Sequence, residues 1–250
     1  MFSHYIALGD SMSIDLYPAL DAGATDVAVA LERRTVAGSV APLGAASLLF
    51  ENDDARWAEF AGADLRTRYP GIRHTNLSRD AATIGDVFGE QLPAVERVAG
   101  PALVTLTVGG NELLSAFANQ PRASLLEGIV RDIAQAYDYL VDAIVERLPG
   151  ATLLLTTFYD PSDRTARVPG LFEGRPLPLR AIDALNAHVR ALAARTPRAR
   201  VADVYLHFLG HGVTAPEGER WYWRRAPTEP SARGASEIRR VWLHALGEAP

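Results

Sequence analysis

At 250 residues and 27.0 kDa, with 48% hydrophobic and 22% charged residues, the chain has the size of one α/β domain and a globular composition that excludes a disordered protein. A net charge of −5 argues against a general nucleic-acid binder, and the absence of cysteine excludes disulfides, thiolate metal centres and a cysteine nucleophile. All 25 basic residues are arginine, which reads as codon bias rather than as anion recognition. The chain opens Met1-Phe2-Ser3-His4 and passes straight into an apolar run. No basic leader precedes that run, and no apolar stretch reaches the length of a membrane span. A single cytoplasmic domain over residues 1–250 is therefore expected, with no cofactor and neither nucleic acid nor membrane as partner.

In chain order, Tyr5-Ile6-Ala7-Leu8-Gly9 reads as a buried parallel strand that ends in the polar turn Asp10-Ser11-Met12-Ser13. In open α/β sheets ligands bind beyond such strand ends. Ser11 on that turn is either a nucleophile, if a neighbour takes its proton, or the cap of a following helix. Residues 15–60 read mostly as loop, with one short helix at Leu43–Phe50 inside the apolar stretch Val36–Phe50. This long insertion is expected to lie over the crevice. Ala55–Tyr69 has near-helical apolar spacing and stops at Pro70-Gly71.

A second strand is expected at Arg73–Leu77 and a helix over Thr83–Val98. The β-branched run Ala102–Val108 predicts a central parallel strand. Ser124–Leu148 is the clearest helix, its apolar residues three and four apart, and Ala151–Phe158 predicts a fourth strand. The Gly/Pro/Arg stretch Arg164–Pro178 is a loop. A helix at Leu179–Ala194, a strand at Arg200–Tyr205 and a final helix at Ser231–Leu246 complete the pattern. Strands alternating with helices give a parallel sheet covered on both faces.

Three short blocks carry a resemblance. Gly9-Asp10-Ser11-Met12-Ser13, the altered Asn76-Leu77-Ser78-Arg79-Asp80-Ala81-Ala82-Thr83, and Gly109-Gly110-Asn111-Glu112 occur in the order and at the strand ends found in the SGNH (GDSL) hydrolases. The chain resembles that family over nearly its whole length. The resemblance implies a three-layer α/β/α sandwich, flavodoxin-like, with a five-stranded parallel sheet in the order 2-1-3-4-5. It also implies hydrolysis of small carboxylic esters through an acyl-enzyme on Ser11. The oxyanion donors carried over are the N–H groups of Ser11 and Ala81 and the side chain of Asn111. Ala81 stands where the family has glycine, and it keeps the N–H at a cost of about 1 kcal/mol if the position has positive φ. Read without the family, Asn111 is a turn residue after two glycines, and Asp10 shapes the first turn.

The last block departs from the pattern. The family's Asp-x-x-His-Pro-Ser-x-x-Gly is matched only by Ala226-Pro227-Thr228-Glu229-Pro230-Ser231-Ala232-Arg233-Gly234, so Glu229 replaces the histidine and Ala226 the aspartate. Three readings follow. Glu229 is itself the base, made useful by burial; or a histidine from elsewhere serves while Glu229 orients it, with His211 preferred to His207 and His74; or the protein is a catalytically degenerate relative that binds a ligand in the retained pocket. His207 and His211 have an i, i+4 spacing, but Gly210 between them favours loop or core roles over a metal site. Trp221 and Trp223 alternate as on a strand or hairpin and read as core. The arginines of 164–180 read as a solvated loop, and no phosphate-cradling glycine loop occurs.

Overall fold

The computed structural model describes residues 1–24, 43–96, 98, 100–119 and 123–248, with the side chains of 123–125 left aside. The expectations placed on 25–42, including the first half of the apolar Val36–Phe50 stretch, lie outside the described residues.

Five strands form one parallel sheet: β1 (His4–Gly9), β2 (Arg73–Asn76), β3 (Ala102–Thr107), β4 (Thr152–Thr156) and β5 (Ala199–Ala202). Their order is β2-β1-β3-β4-β5, and every neighbouring pair runs parallel. The central strands β1 and β3 are buried along their whole length, because helices cover both faces. Alternate residues serve alternate faces. Ile6, Leu8, Val104, Leu106 and Leu155 pack under the helices Ala123–Arg147 and Leu179–Arg195. On the other face Tyr5, Ala7, Leu103 and Leu154 pack with Leu48, Leu49 and the Trp242 side of the helix Ala232–Leu246. Hydroxyls inside the sheet are paired rather than orphaned: Tyr5 OH with Thr105 Oγ1 at 3.1 Å, and Trp242 Nε1 donating to Thr156 Oγ1 at 3.0 Å.

Several segments differ from the sequence reading. Leu16–Asp21 is a short helix, with Pro18 tolerated in its first turn, where no intrahelical donor is needed. Residues 43–69 do not form a cover over the crevice. The helix Ala45–Phe50, a 3₁₀ turn at Ala58–Phe60 and the helix Leu65–Arg68 build the second core layer, with Phe60 and Leu65 fully buried. Ala55–Tyr69 is thus broken into two short pieces, and Asp64 caps the second by accepting from Thr67 N at 2.9 Å. The expected helix after the second block runs from Ile84 to Ala94 and contains a π turn at Val87–Gln91. Gly110–Asn119 is helical although Gly-Gly-Asn reads as a turn. A separate antiparallel hairpin, β6 (Tyr222–Trp223) and β7 (Ala226–Pro230), precedes the final helix.

Candidate active site

The C-terminal ends of β1 and β3 meet the hairpin at a cleft enclosing about 690 Å³ of space, part of it open to solvent. Ser11, Asn111 and Glu229 all face it, together with Asp10 and an apolar wall that includes Met12, Leu113, Leu114 and Phe158. This is the crevice that a parallel sheet leaves outside its carboxyl ends.

The Ser11 turn is held from three sides. Gly9 has φ +133°, and a Cβ there would collide with the Thr107 carbonyl, so only glycine lets β1 turn this close to β3. The Gln91 side chain reads the Gly9 backbone twice, accepting from its N–H at 2.8 Å and donating to its carbonyl at 2.9 Å. Asp10 accepts from Met12 N at 3.1 Å, closing the turn around Ser11. Gln91 sits on the π turn, which swings this side chain inward. Nothing in the sequence marks it except a polar residue on an otherwise apolar helix face.

The second and third blocks are tied together. Asn111 Nδ2 donates to Ala82 O at 2.9 Å, and Glu112 Oε1 accepts from Ile84 N at 2.5 Å. Ala81 has φ +55°, the left-handed region that favours glycine. Ala81 is exposed and is not part of the cleft wall. Among the described residues neither the Ser11 nor the Ala81 N–H is used in a backbone hydrogen bond. An amide carries two hydrogens, so Asn111 keeps one beyond the bond to Ala82.

Glu229 reaches the cleft because the hairpin is anchored next to it. Tyr159 OH donates to Thr228 O at 2.7 Å, and Ser231 N donates to Trp221 O at 2.9 Å. Ser231 then caps the final helix by accepting from Gly234 N at 3.0 Å. A Cβ at Gly234 would strike the Trp221 carbonyl. The Ser231 and Gly234 landmarks of the last block therefore have steric and capping reasons to persist although the histidine does not.

Ser11 and the Glu229 carboxylate share the cleft, with the serine hydroxyl near enough to lower the carboxyl's pKa. Glu229 Oε2 is buried and has no hydrogen-bond partner. Burial raises the Glu229 carboxyl to about 7, the Asp80 charge pushes in the same direction, and the neighbouring Ser11 and Thr228 hydroxyls oppose it. Burial likewise raises Asp10 to about 8, with the charges of Glu229 and Glu112 adding to the effect and the Met12 N–H and Thr107 opposing it. Near neutral pH Asp10 is thus largely protonated while Glu229 divides between its two forms.

The structure does not bring His211 to this cleft. Its ring stacks on Trp221 with centroids 3.6 Å apart, and its Nδ1 lies 3.0 Å from the Glu219 carbonyl. His207 pairs with Glu237 at 2.9 Å, and His74 is sandwiched between Tyr5 and Phe50. No histidine lines the cleft among the described residues. The pairing of Glu229 with a surrogate imidazole fails for a simple reason: the loop after β5 seats His211 against Trp221, away from the residues that line the cleft. Among the described residues no three His, Asp or Glu side chains are arranged to hold a metal ion. The loop arginines are committed elsewhere, Arg164 to Asp183 at 2.6 Å and Arg175 to the carbonyl of Phe117 at 3.2 Å.

The fold is similar to that of several solved hydrolases. An acetyl xylan esterase from Geobacillus stearothermophilus, in a variant form, superposes with a TM-score of 0.60 at 15% identity, covering 99% of this chain and 96% of that one. Phospholipase A1 from Streptomyces albidoflavus gives 0.59 at 18% identity, with 99% of each chain covered. An extracellular lipase from Streptomyces rimosus gives 0.57 at 21%, covering 97% of this chain and 99% of that one. No curated protein matches the chain by sequence. A family model does, over residues 7–236, which span all four blocks. The chain belongs to the GDSL-like lipase/acylhydrolase family and is an ester-hydrolysing enzyme.

Proposed function

We propose that the protein cleaves carboxylic esters through an acyl-enzyme on Ser11, with Glu229 as the general base in place of the family's histidine. The observation that carries this reading is the placement in one cleft of the Ser11 hydroxyl and a buried carboxylate raised to about 7. A glutamate at its ordinary value is too weak a base for serine. One near 7 is still ionised at working pH and binds a proton firmly enough to take it in the transition state.

In this mechanism Ser11 Oγ attacks the ester carbonyl and its proton passes to Glu229. The carbonyl oxygen, now an anion, is met by the N–H group of Ser11 and the second amide hydrogen of Asn111, while Ala81 stands outside the cleft wall. The tetrahedral intermediate collapses as the protonated Glu229 returns its proton to the leaving alkoxide. Water then enters, loses a proton to Glu229 and cleaves the acyl-enzyme, and Ser11 recovers its hydrogen. Asp10, held neutral by burial, keeps a second negative charge away from the oxyanion.

A serine-directed fluorophosphonate tests the nucleophile. Labelling of the wild-type protein at one site, lost in Ser11→Ala, is expected. An unlabelled wild-type protein would return the reading of a degenerate pocket that only binds its ligand.

A further inference from the structure

We propose that the acyl part of the ester is a medium-length alkyl chain that leaves the Ser11 cleft over Leu177 and Pro178 and lies in a second apolar groove on the same face. The inference rests on the reading of Ser11 as nucleophile and adds the identity of the acyl group, which is longer than the small esters expected from sequence.

Leu177 and Pro178 belong to both cavities. The two helices that wall the first also wall the second. Gly110–Asn119 gives Asn111, Leu113 and Leu114 to the Ser11 cleft and Phe117 to the groove. The start of Leu179–Arg195 gives Ile182 to the cleft and Ala181 and Ala184 to the groove. From Asn111 to Phe117 the helix advances ~9 Å at 1.5 Å per residue. The groove therefore adjoins the cleft across Leu177 and Pro178, and an alkyl chain passing over them would run along one helix face.

Its floor is preformed. The Arg175 guanidinium lies 4.8 Å from the Phe117 ring centroid and donates to the carbonyls of Phe117 at 3.2 Å and Ala118 at 3.4 Å. Phe172 packs edge-on against Phe117 at 5.0 Å. These contacts fix the loop bearing Leu177 to the end of the Gly110–Asn119 helix. Between them the groove presents Phe117, Leu126 and Val130, which reward buried methylenes without asking for directional bonds.

The polarity of the cleft distinguishes the acyl side from the alcohol side. The leaving alkoxide must collect its proton from Glu229, where the neighbours are Thr228 and the Asp80 carboxylate held by Tyr17 OH at 2.9 Å. The apolar wall of Leu113, Leu114, Ile182 and Leu177 lies along the other surfaces of the cleft, and the acyl chain takes it.

The test holds the alcohol constant and varies the acyl group, using p-nitrophenyl esters from acetyl to dodecanoyl. We expect kcat/KM to climb from butyryl to octanoyl by up to about fourfold per methylene, the equivalent of about 0.8 kcal/mol. Ala184 is exposed at the groove, so Ala184→Trp fills the groove from the surface without entering the core. It should lower the octanoyl-to-butyryl ratio of kcat/KM about tenfold or more. Octylboronic acid should likewise inhibit the wild type more tightly than butylboronic acid, and Ala184→Trp should erase the difference. A flat acyl series with turnover that Ser11→Ala abolishes would overturn the inference and leave the catalytic reading standing. So would a ratio unchanged by Ala184→Trp, or a dependence on alcohol length instead of acyl length. Turnover that survives Ser11→Ala would overturn the reading of Ser11, and the inference with it.

Discussion

The side-chain amide of Asn111 donates to the Ala82 carbonyl at 2.9 Å, so one residue joins the second and third blocks and faces the Ser11 cleft as well. Half of its donor capacity holds the turn that carries Ala81, and the other half is available to an oxyanion. Asn111→Ala should lower kcat by roughly 10²–10³-fold, the loss typical of one oxyanion donor. Asn111→Asp should be at least as damaging, because the carboxylate donates nothing and adds charge beside Ala82 O. Steady-state kinetics on one ester at fixed pH checks both, and a kcat within a few-fold of wild type would remove Asn111 from the oxyanion hole.

Ala81 predicts a gain in stability. At φ +55° its methyl strains the backbone, and an L-residue in this region costs roughly 1–2 kcal/mol, part of which glycine gives back in unfolded-state entropy. Ala81→Gly should raise the urea midpoint by the equivalent of about 0.5–1 kcal/mol and keep the esterase activity. Ala81→Val should lower it. A destabilised Ala81→Gly would show that the methyl makes contacts worth more than the strain.

Gln91 predicts the opposite. It satisfies both the N–H and the carbonyl of Gly9 in a place closed to water. Gln91→Ala should cost on the order of 1–3 kcal/mol in chemical denaturation, because the buried Gly9 N–H loses its partner while the carbonyl keeps its bond from Arg79 N at 3.0 Å. Activity should fall further than global unfolding explains, since the released N–H sits next to Ser11.

These cases show what was legible in the chain and what was not. Strand ends announced themselves through an apolar run followed by Gly9 or Gly109, and the long helix through its three- and four-residue apolar spacing. The sheet order came with the family resemblance carried by the blocks at those strand ends. Ser231 and Gly234 were recognisable as landmarks because capping and close approach demand particular residue types. Gln91 was hidden because its inward turn depends on a π turn that no local pattern encodes. The Gly110–Asn119 helix was hidden because two glycines and an asparagine read as a turn, although tertiary packing of Leu113 and Phe117 makes them helical. His211 looked available because the sequence places it after β5, but the hairpin that turns it onto Trp221 is a long-range feature.

Glu229 also links to stability. Its folded value, about 7, lies above the ordinary 4.5, so the native state binds more protons than the unfolded chain between these values and its stability falls as pH rises through them. Below about 4.5 both states are protonated and the penalty vanishes. Glu229→Gln should therefore melt at a higher temperature than wild type at pH 8 and at nearly the same temperature at pH 4.5, which calorimetry at the two pH values checks. Equal melting temperatures at both would mean that the carboxylate is not desolvated.

The pH dependence of kcat/KM tests the central claim, that the Glu229 carboxylate takes the proton of Ser11. Measured on one neutral ester, wild-type activity should rise with pH along a titration near 7 and decline above about 8 as Asp10 ionises. Glu229→Gln should lose this activity while keeping its fold, and His211→Ala, His207→Ala and His74→Ala should each keep the wild-type profile. Loss of that titration on replacing a histidine, or a Glu229→Gln enzyme that retains Ser11-dependent turnover with the same profile, would contradict the account.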